Sequence, residues 1–591
     1  MALCDKRLKR LVSVLVSTLV VCAVISCDNS ATKPMGELAV PTYAWRQQLT
    51  TRNITDLWGT GTELFAVGSY GTIFHRSSLG WCAMDGGASN IFFYSIWGSS
   101  AENVYAVTSE GAVYRYDGSS WTQLWSNQNY PLYEVWGTSA DTVFAGGTLL
   151  LRGAGAQWLV AAYAPGNVTG LWGFSARDVF VGSNTGYLGK NILSHYDGAA
   201  LTYISTDLPS TPSGLWGSSP MDLFVVGPSG MIYHYDGVSL IAMESGTTSG
   251  LNSVWGTSAR DVYAGGSDGV TVHYDGTRWD QITQGTLTGA WCYWEDGRRE
   301  IYTAGALGSV YRLEGGRWVP EMNGTTMDFE DSWGTASDDV FMVGRGGTIY
   351  HFDGIGWSAM ESPVTVDLFG VFAAASDDAY AVGDAGTILH YDGGSWSAVE
   401  SGTTSRLLDV WGPSPNETYA VGAGGTILRR DGRLWRAVSV ATSEDLHGIW
   451  GDGKGTMIVS GAHGTFLRFE DGRWSVVKLG TDQTFSGGLW GSSARDVYAA
   501  GTYGIIVHYD GLKWSPVESG SLENLSGMWG SSAQNVLAVG GHGTVLAFDG
   551  SSWRTLPRVG AADLRCVWGS SARDVFLGGA AGAAYRSVPE P

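Results

Sequence analysis

The chain has 591 residues, 86 of them glycine, and a formal net charge of −21. With 56 Asp and Glu against 35 Lys and Arg it lacks the basic footprint that nucleic acid or anionic lipid would require. Its 44% hydrophobic and 15% charged content also excludes a disordered chain.

The first 27 residues stand apart. Lys6, Arg7, Lys9 and Arg10 precede an apolar run over residues 11–25, short and flanked as in a secretory signal. The run ends at Val24-Ile25-Ser26-Cys27. This resembles the lipobox of bacterial lipoproteins, which implies cleavage after residue 26 and a lipid on Cys27. Residues 27–42 then read as a flexible tether. The expected address is the cell envelope, on the inner or outer membrane and facing the periplasm or the exterior. Asp28 resembles a retention signal, but both membranes stay open. Loss of the signal removes those four basic groups and Asp5, so the mature chain is more acidic still. Cys82, Cys292 and Cys566 remain beyond the lipid site; they are odd in number and scattered, so they read as small buried apolar residues.

From residue 44 onward one unit repeats. Its marker is Trp-Gly, at Trp58, Trp97, Trp136, Trp172, Trp216, Trp255, Trp333, Trp411, Trp450, Trp490, Trp529 and Trp568, with degenerate copies at Trp291 and Phe372. These fourteen copies recur at a nearly constant spacing of roughly 39 positions, the period of a propeller or solenoid. From Leu251 to Ile282 four short strands are separated by turns: a strand ending at Trp255, a second from Asp261 to Gly265, a third from Val270 to Tyr274 and a fourth holding Trp279 and Ile282. Asp275-Gly276 predicts a type I′ hairpin turn. The strands are apolar on both faces, so each sheet must be covered by its neighbours. Of 27 Trp, 13 hold the first-strand position and 12 the fourth, which reads as packing.

The fold class is therefore all-β, with tandem β-propellers of four-stranded blades. Two seven-bladed rings are expected, with eight plus six as the alternative, and one fourteen-bladed ring would leave a wide axis. The folded part begins on a fourth strand at Trp45 and ends on a third strand near Arg586. Division between Leu313 and Trp318 predicts a first propeller over residues 43–315, sealed by the Trp45 strand, and a second over 316–591.

The segment GTILHYDGGSW at residues 386–396 resembles the repeat of the photosystem II assembly and stability factor family. That resemblance implies seven-bladed propellers and a role in assembling a membrane complex. The family's partner surface is basic, whereas this chain is acidic.

Repeated polar positions read as structure. His75, His195, His234, His273, His351, His390 and His508 share one third-strand position with Arg115, Arg312, Arg429, Arg468 and Arg586. Arg cannot act as a metal ligand, so a hydrogen bond between blades is expected there. Asp178, Asp261, Asp496 and Asp574 exchange with Asn103 and Asn535 and read as turn-fixing. No metal, cofactor or catalytic motif is recognised. Function is sought where copies depart from the repeat. His463, Tyr503 and His542 replace small residues in three successive turns, Arg345 holds the matching turn of the eighth copy, and Tyr187 and Lys190 lie in an enlarged loop of the fourth. The function expected is a non-catalytic, membrane-anchored scaffold, monomeric, that binds a protein or glycan. The alternatives are a periplasmic hydrolase or lyase with an axial site, and an assembly factor.

Overall fold

A computed structural model describes residues 43–588, apart from residues 51, 61–62, 78–79, 87–89, 187–188, 283–289, 296–300, 323, 415 and 433. The expected signal, Cys27 and tether lie outside the described residues, as does Tyr187. The described strands form fourteen four-stranded antiparallel sheets, called here the first to the fourteenth blade in chain order. The first blade runs from Ile54 to Ala83 and the seventh from Ala290 to Met322. The eighth runs from Phe329 to Ala359, and the last from Leu564 to Val588. In every blade but the last, the strands pair in chain order as a meander.

The blades stack through the repeat marker itself. The Trp58 indole lies where a Cβ on Gly98 would stand 2.5 Å away, and Trp97 does the same to Gly137. Trp411 closes on Gly451, Trp490 on Gly530 and Trp529 on Gly569. Glycine follows the tryptophan because the preceding blade's indole occupies the space of its side chain. Each such ring buries apolar area worth about 2–3 kcal/mol. The relation joins the fourteenth blade to the eighth as well: Trp568 lies on Gly334, at 2.7 Å from a Cβ there.

Two local expectations need correction. In the seventh blade, Trp294 pairs with Tyr302 as Trp255 pairs with Tyr263, and Trp291 falls in the bulge between Ala290 and Cys292. Trp294 therefore holds the marker register, midway in sequence between Trp255 and Trp333. At Asp275-Gly276, as at Asp117-Gly118, only the glycine takes positive φ (92° and 95°), so the turn is not type I′, which needs two such residues; at Asp471-Gly472 both residues do (50° and 76°). At the first two, the aspartate instead accepts the N–H groups two and three residues on, as Asp275 does from Thr277 at 2.8 Å and Arg278 at 3.0 Å. This is an Asx turn.

The third-strand histidine bonds within its own blade, not between blades. His273 Nε2 contacts Asp261 Oδ1 at 2.7 Å, and its ring stacks on Tyr263, directly opposite on the second strand, at 4.4 Å. The same aspartate accepts the Thr257 hydroxyl through Oδ2, which ties the preceding turn. Where Arg586 replaces histidine, it bonds Asp574 at 2.7 Å and lies 4.8 Å over Phe576. A flat donor that also stacks explains the His–Arg exchange.

The sealing strand goes elsewhere than expected. Ala44–Gln47 pairs with Ala584–Val588 of the last blade, Trp45 opposite Ser587. Arg317–Met322 stays with its own neighbour, Leu313 opposite Trp318, so a division at residue 315 would cut a hairpin. The innermost strand of the first blade packs on the seventh, and that of the eighth on the fourteenth. These four blades share one buried cluster that includes Leu57, Trp81, Tyr302, Met322, Trp357 and Phe576. Beside it the buried Glu321 carboxylate meets Arg76 at 3.2 Å and Trp81 Nε1 at 3.3 Å. The span from Ile54 to Met322 is thus inserted between one strand of the last blade and the rest of the second run of blades.

Removal of residues 43–47 should expose the edge of Ala584–Val588. Hydrogen exchange of the full chain should then show lost amide protection in the last blade, with the seventh unchanged. Loss confined to the seventh blade would contradict this pairing.

Candidate axial binding site

The innermost strands of the eighth to fourteenth blades surround a cavity of about 800 Å³. The first strand of a blade has no partner on its inner side, so its N–H groups face the axis and need acceptors. A register shift recurs near its start, between Phe329 and Asp331, Leu368 and Gly370, Leu407 and Asp409, Leu446 and Gly448, Leu525 and Gly527, and Leu564 and Cys566. A bulge inserts one unpaired residue and re-aims its side chain. The inserted residues are Glu330, Phe369, Leu408, His447, Ser526 and Arg565, and all of them line the cavity.

The residue two positions before each marker forms the axial layer: Asp331, Gly370, Asp409, Gly448, Gly488, Gly527 and Cys566, all but Gly370 on the cavity wall. Glycine there permits close approach of adjacent inner strands; a Cβ on Gly370 would stand 2.8 Å from Asp409 Cα. The acids bridge blades. Asp331 Oδ2 accepts Val371 N–H at 2.8 Å, and Asp409 Oδ2 accepts Ile449 N–H at 2.7 Å. Asp409 Oδ1 also accepts its neighbour Val410 N–H at 2.7 Å. Between the first two blades of the chain, Asp56 reaches Ile96 N–H at 2.9 Å in the same way.

Asp331 and Asp409 touch the cavity but are surrounded by protein beyond it. Burial raises Asp409 to about 7. It also raises Asp331, where the charge of Asp409 adds to the effect. Burial lifts Asp56 to about 6. Burial lowers His447, against the pull of Asp445. Cys566 is free and buried, and burial chiefly pushes its thiol up.

At the rim, Arg565 is held by Glu330 and, at 2.9 Å, by Asp328. Arg345 joins the same two acids at 2.9 and 3.3 Å. His542 Nδ1 lies 3.0 Å from Glu523 Oε2, and Arg558 is 3.2 Å from Oε1. His463 pairs with Glu444 at 2.8 Å. Tyr503 is 73% exposed.

His463, Tyr503 and His542 have φ of 51°, 55° and 54°, a left-handed geometry in which non-glycine residues are strained. Straps to the next blade hold several of these turns. Tyr503 N–H donates to Asn524 at 2.9 Å, His542 N–H to Asp563 at 2.8 Å, and Ala581 N–H of the last blade to Asp328 at 2.9 Å.

Of the residues expected from sequence, His542 lines the cavity; His463, Tyr503 and Arg345 are not on its wall, although Arg345 contacts Glu330, which is. Lys190 is exposed on its loop in the fourth blade, where its N–H bonds the Thr185 hydroxyl. Sequence reasoning missed Asp331, Asp409, His447 and Arg565. The signal was present two and three positions before each marker Trp, where residue type varies from copy to copy while the strand is constant.

No protein-family model matches the chain, and no curated protein matches it. Among solved structures, the chain is similar to YCF48 bound to D1 peptide (17% identity, 45% of this chain and 95% of that one, TM-score 0.40). A second is PorZ, a surface component of the type-IX secretion system of Porphyromonas gingivalis (13%, 92% and 86%, TM-score 0.45). A third is the extracellular domain of a putative one-component system from B. thetaiotaomicron (13%, 93% and 84%, TM-score 0.39).

The folded protein keeps protons on Asp331 and Asp409 to higher pH than the unfolded chain, where Asp titrates at about 3.9. The folded state therefore binds more protons between that value and about 7, and stability falls as pH rises through that interval. Relative to the parent, Asp331→Asn/Asp409→Asn should gain melting temperature at pH 8 compared with pH 4. A difference that does not change with pH would contradict the assignment.

Proposed function

We propose that the protein is a lipid-anchored, extracytoplasmic, non-catalytic scaffold that seats a segment of a partner protein at the axis of its last seven blades. In this reading the fourteen blades close into two seven-bladed rings. One runs from Ile54 to Met322; the other runs from Phe329 to Val588 and is completed by Ala44–Gln47. The lipid sits on Cys27, after a signal over residues 1–26. The cavity of about 800 Å³, walled by the first strands of seven consecutive blades, is the observation that carries the proposal. Its size lies within the range of ligand pockets, roughly 300–1,000 Å³.

Six marker Trp residues line the cavity; a protein segment is still preferred to a glycan because most of these rings pack on a neighbouring blade's glycine, which leaves less free ring face as a sugar platform. His542 would meet the ligand at the rim; His463, Tyr503 and Arg345 would extend that contact. Tyr187 and Lys190 form a separate candidate contact on the fourth blade. The axial carboxyls also favour a second reading, a hydrolase or lyase. Their hydrogen bonds to backbone N–H groups of the next blade support the structural role instead.

Two experiments test this. Cys27→Ser should move the protein from membrane to soluble fractions, and mass spectrometry of the parent should find a lipid on Cys27; an unmodified N terminus elsewhere would overturn the anchor. Gly448→Leu should crowd the axial layer, since a Cβ there would stand 3.1 Å from Ser460 Oγ, 3.7 Å from Leu489 Cβ and 3.9 Å from Asp409 Oδ2. The crowded, folded protein should lose a partner that the open lipid-free form captures from envelope extracts. Undiminished capture would remove the axis as the site.

A further inference from the structure

The cavity wall has a pronounced charge balance and a divided surface. Among its described residues Glu330, Asp331, Asp409, Glu523 and Asp563 are acidic, and Arg565 is the one Lys or Arg. Arg565 is already engaged by Glu330 and Asp328, and Glu523 is partly met by His542 and Arg558. Asp331 and Asp409 remain at the axis with no cation beside them among the charged pairs of the described wall. They belong to the eighth and tenth blades, on either side of Gly370 in the ninth, and Asp331 feels the charge of Asp409. Next to them on the wall stand the apolar Phe369, Val371 and Leu408; Arg406 lies 5.1 Å over the Phe369 ring, which holds that ring in place.

We infer that the axial cavity takes the side chain of a lysine in the bound protein segment, its aliphatic stem along Phe369 and Leu408 and its ammonium at Asp331 and Asp409. This rests on the axial binding site proposed above and names the group it recognises. A stem of methylenes with a charged head suits a wall that is apolar on one part and anionic beside it. Asp331 already receives a backbone N–H on Oδ2, and Asp409 receives one on each oxygen, so neither offers a free two-oxygen edge. A compact ammonium with rotatable donors fits the remaining lone pairs better than the planar fork of arginine, which gains most from bidentate pairing. Burial and their mutual proximity keep protons on the two carboxyls when no cation is present; an ammonium between them favours their ionised forms, and its attraction to them is stronger in a water-poor site. Among the described residues no three His, Cys, Asp or Glu side chains come together as metal ligands, which favours an organic cation.

The test is selection from a random heptapeptide library on the lipid-free full chain, Cys27→Ser. Selected peptides should share a lysine. Replacement of that lysine by norleucine should weaken binding at least tenfold, and replacement by arginine should weaken it less. Asp331→Asn/Asp409→Asn should weaken the lysine peptide at least tenfold but leave the norleucine peptide unchanged. If the double variant does not fold, Asp409→Asn alone and the norleucine peptide still decide the matter. Peptides that Gly448→Leu excludes, but that bind equally with lysine or norleucine, would overturn the cation inference while the axial site stands. Peptides that bind the Gly448→Leu protein undiminished, or a selection that yields none, would overturn the axial site itself.

Discussion

In most blades the indole of the marker tryptophan rests on the glycine of the next blade's Trp-Gly pair, and the fold is built outward from that contact. A four-stranded sheet with two apolar faces cannot stand alone in water. The contact covers one such face while it fixes the spacing of adjacent sheets. The requirement is mutual, since a bulky indole needs a missing side chain opposite. Both halves of the pair therefore recur together through the chain. The same contact joins Trp568 to Gly334 across a long stretch of sequence, as does the strap from Ala581 to Asp328.

The inward edge of each blade is the complement of that contact. Its unpaired N–H groups need acceptors, and its bulge turns an extra side chain toward the axis. Asp331 and Asp409 answer the first need and still face the cavity. Glu330, Phe369, His447 and Arg565, carried on the bulge, answer none of the packing needs and so are free to differ. A repeat protein can thus hold one scaffold constant and still write a unique set of groups around an axis.

The N-terminal strand links this site to the start of the chain. Ala44–Gln47 completes the last blade, which supplies Arg565 and Cys566 to the cavity wall. The blades from Ile54 to Met322 are inserted after it. The first, seventh, eighth and fourteenth blades share one core around Trp81 and Trp357, beside the buried Glu321. The boundary between the two runs of blades is therefore a packed surface and not a linker.

Local periodicity was enough to establish the all-β class, the four-stranded unit, the number of copies and the structural duty of the repeated His, Arg and Asp. Each follows from residue types that recur at fixed offsets. Which strand seals which blade is a matter of long-range pairing: the strands at Trp45 and Trp318 are equivalent in pattern, and hydrogen bonding between distant segments selects between them. The hairpin register of the seventh blade assigns the marker position to Trp294 and not Trp291, and the sequence carried that signal too, because Trp294 stands midway between Trp255 and Trp333. The axial residues were present in the sequence as variation before each marker. Nothing local says that such positions, one repeat apart along the chain, meet around one cavity. That convergence is a property of blades packed on one another, one indole to one glycine at a time.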